Sequence, residues 1–139
     1  MLTDALGLLL DVLVTPASTT DRDAARTLLP AAKQNFRRLA RVWADGGYTG
    51  HLADRTALHL GIVLDVVRRH DDVSGFQVLP RRRVVERSFA WLLRSRRLVR
   101  DYERRIDTSE AVIRWSMIAL MNRRLAAQHH HRAVPARAA

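Results

Sequence analysis

Trp43-Ala44-Asp45-Gly46-Gly47-Tyr48-Thr49-Gly50 is the stretch on which the fold turns. Residues 41–44 read as a short strand, and the glycines after Asp45 let the backbone turn sharply beside a carboxylate. Thr49 can cap a helix through Leu60, Gly61 would end it, and residues 62–67 read as a second buried strand. Strands alternating with helices give an α/β chain whose sheet is at least partly parallel. Functional groups in such sheets gather at strand ends, where Asp45 stands.

Working outward, Asp4-Ala5-Leu6-Gly7 reads as a turn and residues 8–14 as a buried strand in which Asp11 is the odd residue. Thr20 or Asp21 can cap a helix containing Leu28 and Leu29, which Pro30 either stops or carries into a further helical turn toward Leu39. Residues 69–75, rich in Asp and His, read as a polar loop. Residues 83–94 show Val85, Phe89 and Leu92 at helical spacing, which implies one buried face and one lined with arginine. Asp107 followed by Glu110 resembles a capping box that opens a last helix over residues 109–126, with Ile113, Met117, Leu120 and Met121 as its apolar stripe. We therefore expect one domain over residues 1–126 and a frayed tail over residues 127–139. No internal repeat is present.

The chain of 139 residues has a formal net charge of +10, carried almost wholly by arginine because Lys33 is the only lysine. Such a charge favours a polyanionic partner, and the arginine fork suits two-point contacts with phosphate; a GC-rich genome would also enrich arginine. The absence of cysteine excludes disulfides and thiolate metal sites and suits a reducing cytoplasm. The longest apolar run, residues 6–14, is broken by Asp11 and too short to span a bilayer, so no membrane association is expected.

The residues with chemical potential are Asp45 and Glu86. Locally, Asp45 also reads as a turn former before glycine, and Glu86 as a solvated carboxylate paired with Arg82 or Arg83. Trp91, Trp115, Phe89 and Tyr102 have the spacing of core residues. His129-His130-His131 lies in the tail, and His51, His59 and His70 lack ligand spacing with any partner.

Residues 43–50 followed by Val78-Leu79-Pro80-Arg81-Arg82-Arg83-Val84-Val85-Glu86-Arg87-Ser88-Phe89-Ala90-Trp91-Leu92 resemble the bacterial transposases of the insertion-sequence five family. The similarity continues through Arg96-Arg97-Leu98, Arg100-Asp101-Tyr102-Glu103 and Ser109-Glu110-Ala111, and covers about residues 4–126. The resemblance implies a ribonuclease-H-like fold, a helical C-terminal end, and DNA cleavage and strand transfer by two divalent metals on an Asp-Asp-Glu triad. Asp45 matches the second Asp and Glu86 the Glu. Mg²⁺ or Mn²⁺ suits such hard oxygen ligands, and two ions about 4 Å apart stabilise both the attacking and the leaving oxygens. DNA would lie along Arg81, Arg82, Arg83, Arg87, Arg94, Arg96, Arg97 and Arg100. Two departures stand out: Leu93 occupies the family's later basic position, one residue before Arg94, and Arg83 stands where relatives often carry tryptophan.

The first Asp of the triad belongs to a strand that precedes the segment matched here. The expected fold is thus a truncated ribonuclease-H-like one lacking its first strand, marginally stable and inactive alone. A decayed element, the second frame of a frameshifted transposase or a misplaced start would each produce it. Its partners would be the element's ends, target DNA and a full-length transposase or an upstream-frame product, in the bacterial cytoplasm at the nucleoid. Competing readings are a non-catalytic DNA binder that regulates transposition and an arginine-rich RNA-binding protein.

Overall fold

Asp4 organises the first hairpin of the chain. In the computed structural model, β1 (Leu2–Thr3) pairs antiparallel with β2 (Leu9–Asp11), and the Asp4 carboxylate accepts from the amides of Leu6 (2.9 Å) and Leu8 (2.8 Å). The structure describes residues 1–48, 50–67, 80–100 and 102–133, with the backbone alone at 80–82 and 129–133. The turn at residues 4–7 is as expected, whereas the strand after it is shorter than residues 8–14 and only half-buried.

Helix α1 (Asp21–Asn35) begins at Thr20, whose hydroxyl accepts from the Asp23 amide at 3.2 Å. Pro30 neither stops nor divides it. Proline removes one helical donor and crowds the preceding turn, but Leu29 and Ala32, buried on either side of it, hold the helix against the core.

Strand β3 (Arg41–Ala44) pairs in parallel with β4 (Val63–Val66), Arg41 opposite Val63 and Ala44 opposite Val66. Parallel strands need a crossover, which α2 (His51–Leu60) provides. Gly61 ends α2 in the left-handed region at φ 59°, and the next amide, that of Ile62, returns to the Thr56 carbonyl at 3.1 Å. The start of α2 differs from expectation, because its cap is Gly50, with no side-chain bond; Thr49 lies outside the described residues, as does the loop at residues 69–75.

The core gathers Leu2, Leu29, Val42, Leu52, Ile62 and Leu64 with two alanines of α1. The two sheets, β1 with β2 and β3 with β4, are not hydrogen-bonded to each other among the described residues. Residues of both sheets line the cavity described below.

Helices α3 (Pro80–Leu92) and α4 (Ile106–Ala133) pack on each other. In α3 the expected stripe is only partly buried: Leu92 is, but Val85 and Phe89 are exposed, and Ser88 takes the inner position instead. The reason is the axial rotation of the helix, which turns Val84 and Ser88 toward Gly7. In α4 Met117 is buried and Ile113, Leu120 and Met121 are half-buried, as the stripe implied. The capping box does not form, since Glu110 accepts from the Val14 amide (3.0 Å) and pairs with Arg114, while Asp107 binds the Thr108 amide (2.9 Å). The helix also runs past Ala126 to Ala133, so the expected tail begins as helix; the side chains of His129, His130 and His131 lie outside the described residues.

Candidate active site and arginine surface

Asp45 follows the last residue of β3 and leads into one turn of 3₁₀ helix, Gly46–Tyr48. Its Oδ1 accepts from the Gly47 amide at 3.0 Å, and its carbonyl accepts from the Tyr48 amide at 3.2 Å. Neither Gly46 nor Gly47 has positive φ, so no left-handed backbone requires them, and only at Gly47 does the lack of a side chain leave needed space. A Cβ on Gly47 would stand 3.2 Å from Asp45 Oδ1, so a side chain there would press on the carboxylate.

Glu86, in α3, borders the same cavity as Asp45. The cavity has a volume of about 760 Å³ and is lined by residues of both sheets, among them Leu2 of β1 and Val42 and Ala44 of β3, and by residues of α1. Val85 and Phe89 of α3 also line it, which explains why these apolar residues are exposed.

A third carboxylate, Asp21 at the start of α1, lines this cavity too. Along the chain Asp21 reads only as a helix cap, and no local signal marks it as more. The Tyr48 hydroxyl is held above its usual pKa by burial first, and then by the negative charges of Asp21 and Asp45. The Met1 ammonium is pushed below its usual pKa by burial, opposed by Asp11 and Asp21. Among the described residues no group of three or more His, Asp or Glu is close enough to hold a metal ion together.

Of the arginines singled out by sequence, Arg83, Arg87, Arg94, Arg96, Arg97 and Arg100 are exposed; the side chains of Arg81 and Arg82 lie outside the described residues. Two of the six are engaged within the chain. Arg87 donates to the Leu6 carbonyl (3.0 Å) and lies over the Trp91 ring, 5.3 Å from its centroid. Arg97 donates to Glu103 at 2.7 Å, and this hydrogen bond holds the guanidinium above its usual pKa. Arg124 of α4 lies closer over Trp91, at 3.9 Å.

The aromatic residues expected in the core mostly are not there. Phe89 is 52%, Tyr102 63% and Trp115 77% exposed, while Trp91 is half-buried beneath arginine. Tyr102 lies between α3 and α4 in neither helix, Phe89 lines the cavity, and Trp115 lies on a face of α4 that packing leaves outward.

Residues 1–121 match the family model described as "Transposase DDE domain". The chain matches no curated protein and no solved structure.

Proposed function

Since the chain belongs to the transposase DDE-domain family, we propose that it is part of the catalytic domain of an insertion-sequence transposase of the insertion-sequence five type. The observation that supports this reading is that Asp45 and Glu86, far apart in sequence and borne by different elements, border one cavity. Mg²⁺ or Mn²⁺ fits the donors present, because both cations prefer hard carboxylate oxygens and keep open positions for water and phosphate. Bound there, such ions would polarise the scissile phosphodiester and stabilise the oxygens that attack and leave. Asp45 and Glu86 would hold the metal, with the Gly47 amide fixing the Asp45 carboxylate. Exposed arginines, Arg83, Arg94, Arg96 and Arg100 foremost, would grip the DNA backbone, together with Arg81, Arg82, Arg87 and Arg97 where the path of the strand allows.

The same proposal accounts for the divided sheet. Among the described residues β1 and β3 each have a single strand partner, and residues of both line the cavity. A further strand seated there would join both pairs into one mixed sheet of the ribonuclease-H-like kind and relieve two unpaired edges. A carboxylate on that strand would complete the metal-binding set, and catalysis by these 139 residues would depend on it.

DNA cleavage with Mg²⁺ or Mn²⁺ tests the reading, using the chain supplied with that strand in the same polypeptide or as a separate one. Asp45→Asn and Glu86→Gln should each bring cleavage to background while leaving the fold intact. Undiminished cleavage by both variants would reject the assignment. Metal-independent DNA binding that weakens steeply with salt, with no cleavage by any form, would favour a non-catalytic regulator of transposition.

A further inference from the structure

Glu86 is followed directly by two residues that tie α3 to the β1–β2 turn. Arg87 Nη2 donates to the Leu6 carbonyl at 3.0 Å, and Ser88 Oγ donates to the Gly7 carbonyl at 2.7 Å. The acceptors are consecutive, as are the donors. Ser88 is fully buried, and its single hydroxyl proton has a second acceptor in its own helix, the Val84 carbonyl at 2.9 Å. The shorter contact is the one made across to the turn.

The turn itself is built to present those carbonyls. Asp4 fixes it from within, its carboxylate taking the Leu6 and Leu8 amides and its carbonyl taking the Gly7 amide at 3.0 Å. Gly7 has φ 83°, a region that side-chain-bearing residues rarely adopt, and a Cβ there would stand 2.8 Å from Ser88 Oγ and 3.2 Å from Trp91 Cζ3. Both the backbone conformation and the closeness to α3 therefore require glycine.

Successive residues of a helix point about 100° apart. Fixing Arg87 and Ser88 against one turn thus fixes the rotation of α3, and with it the direction of Glu86. We propose that the Asp4–Gly7 turn is a positioning clip, in which Gly7 and Ser88 set the rotation and height of α3 so that Glu86 is delivered to the cavity opposite Asp45. The inference rests on the assignment of Asp45 and Glu86 made above. Gly7 and Ser88 touch neither metal nor DNA in it; they act through Glu86.

The chain lacks cysteine, so a pair of spin labels can be placed cleanly through Arg55→Cys on α2 and Arg83→Cys on α3. The distance between the labels reports where α3 lies relative to the crossover beside Asp45. Ser88→Ala and Gly7→Ala should each shift or broaden that distance by about 1 Å or more, a displacement that costs roughly 100-fold in turnover at a metal site. Ala32→Gly, in the buried face of α1, is the control for simple loss of stability and should leave the distance unchanged. Should Gly7→Ala fail to fold, Arg87→Ala removes the other half of the clip from an exposed position. Unaltered distances in Ser88→Ala and Arg87→Ala, or equal broadening in Ala32→Gly, would overturn the clip. Cleavage by Glu86→Gln in the chain supplied with the further strand separates the two levels: retained cleavage sinks the assignment of Glu86, whatever the labels report about the clip.

Discussion

The guanidinium of Arg114, in α4, reaches the carboxylate of Asp11, the last residue of β2, at 3.4 Å. The same side chain donates to the Val12 carbonyl at 3.1 Å and pairs with Glu110 at 3.2 Å. Asp11, an anomaly in an apolar stretch when read along the chain, is thus one end of a tie between the N-terminal hairpin and the last helix.

Arg114→Ala should cost about 1–2 kcal/mol, since it removes a charged hydrogen bond to a part-buried carbonyl together with two ion pairs. Arg114 is itself 44% exposed, so the pairing with Asp11 should couple by less than about 1 kcal/mol. Urea denaturation of Arg114→Ala, Asp11→Ala and the double variant measures both values, and perfectly additive losses would show that the two residues do not interact.

Tyr48 offers a titration that reads the cavity directly. Burial and two carboxylates favour its neutral phenol, so in a Tyr102→Phe background the remaining tyrosine should ionise above the ordinary value of 10.0. Asp45→Asn should bring that midpoint down but not to 10.0, because burial is the larger cause. The sign for stability follows: the contribution is complete below the unfolded pKa and is lost as pH rises through the higher folded one. Absorbance of the phenolate against pH checks this, and an unchanged midpoint in Asp45→Asn would separate the two side chains.

Gly61→Ala isolates backbone strain from crowding, because a Cβ at this position meets nothing within 4 Å while φ is 59°. The expected loss is about 1 kcal/mol, with Gly61→Asn losing less because asparagine tolerates the left-handed region. Thermal unfolding of the two variants side by side decides it; equal stability of all three forms would remove strain as the reason for glycine.

Exposed arginines should differ in their contribution to DNA binding according to their engagement within the chain. Arg94→Ala, Arg96→Ala and Arg100→Ala should each reduce the slope of log affinity against log salt by about one. Arg97→Ala should reduce it less, since Glu103 already neutralises that guanidinium. Fluorescence anisotropy over a salt series gives the slopes, and an Arg97 effect as large as the others would mean that DNA displaces Glu103.

Much of the fold near Asp45 was legible along the chain. The strand at β3, the helix ended by Gly61 and the parallel strand after it are local matters of short apolar runs, glycine and helical period. The stripe in α4 was equally plain, because Met117 and its neighbours repeat at one turn. The stripe in α3 misled. Val85 and Phe89 have the right spacing for a core, yet Ser88 is buried beside Leu92 in their stead, and no periodicity distinguishes a serine that donates to a carbonyl of a distant turn from one that faces water. Asp21 was illegible for a similar reason, since its local role at a helix start is sufficient to explain it.

By itself, the amino-acid sequence determined the order of strands and helices after β1, the arginine-rich charge and the two motifs that carry Asp45 and Glu86, because these depend on neighbours a few residues apart. Only the tertiary structure decided that both carboxylates border one cavity, that both sheets contribute to its lining, and that Ser88 of α3 is bonded to Gly7. The physical reason is distance along the chain: hydrogen bonds between residues 7 and 88, or 11 and 114, are fixed by packing of whole elements, and local sequence preference contains no record of them.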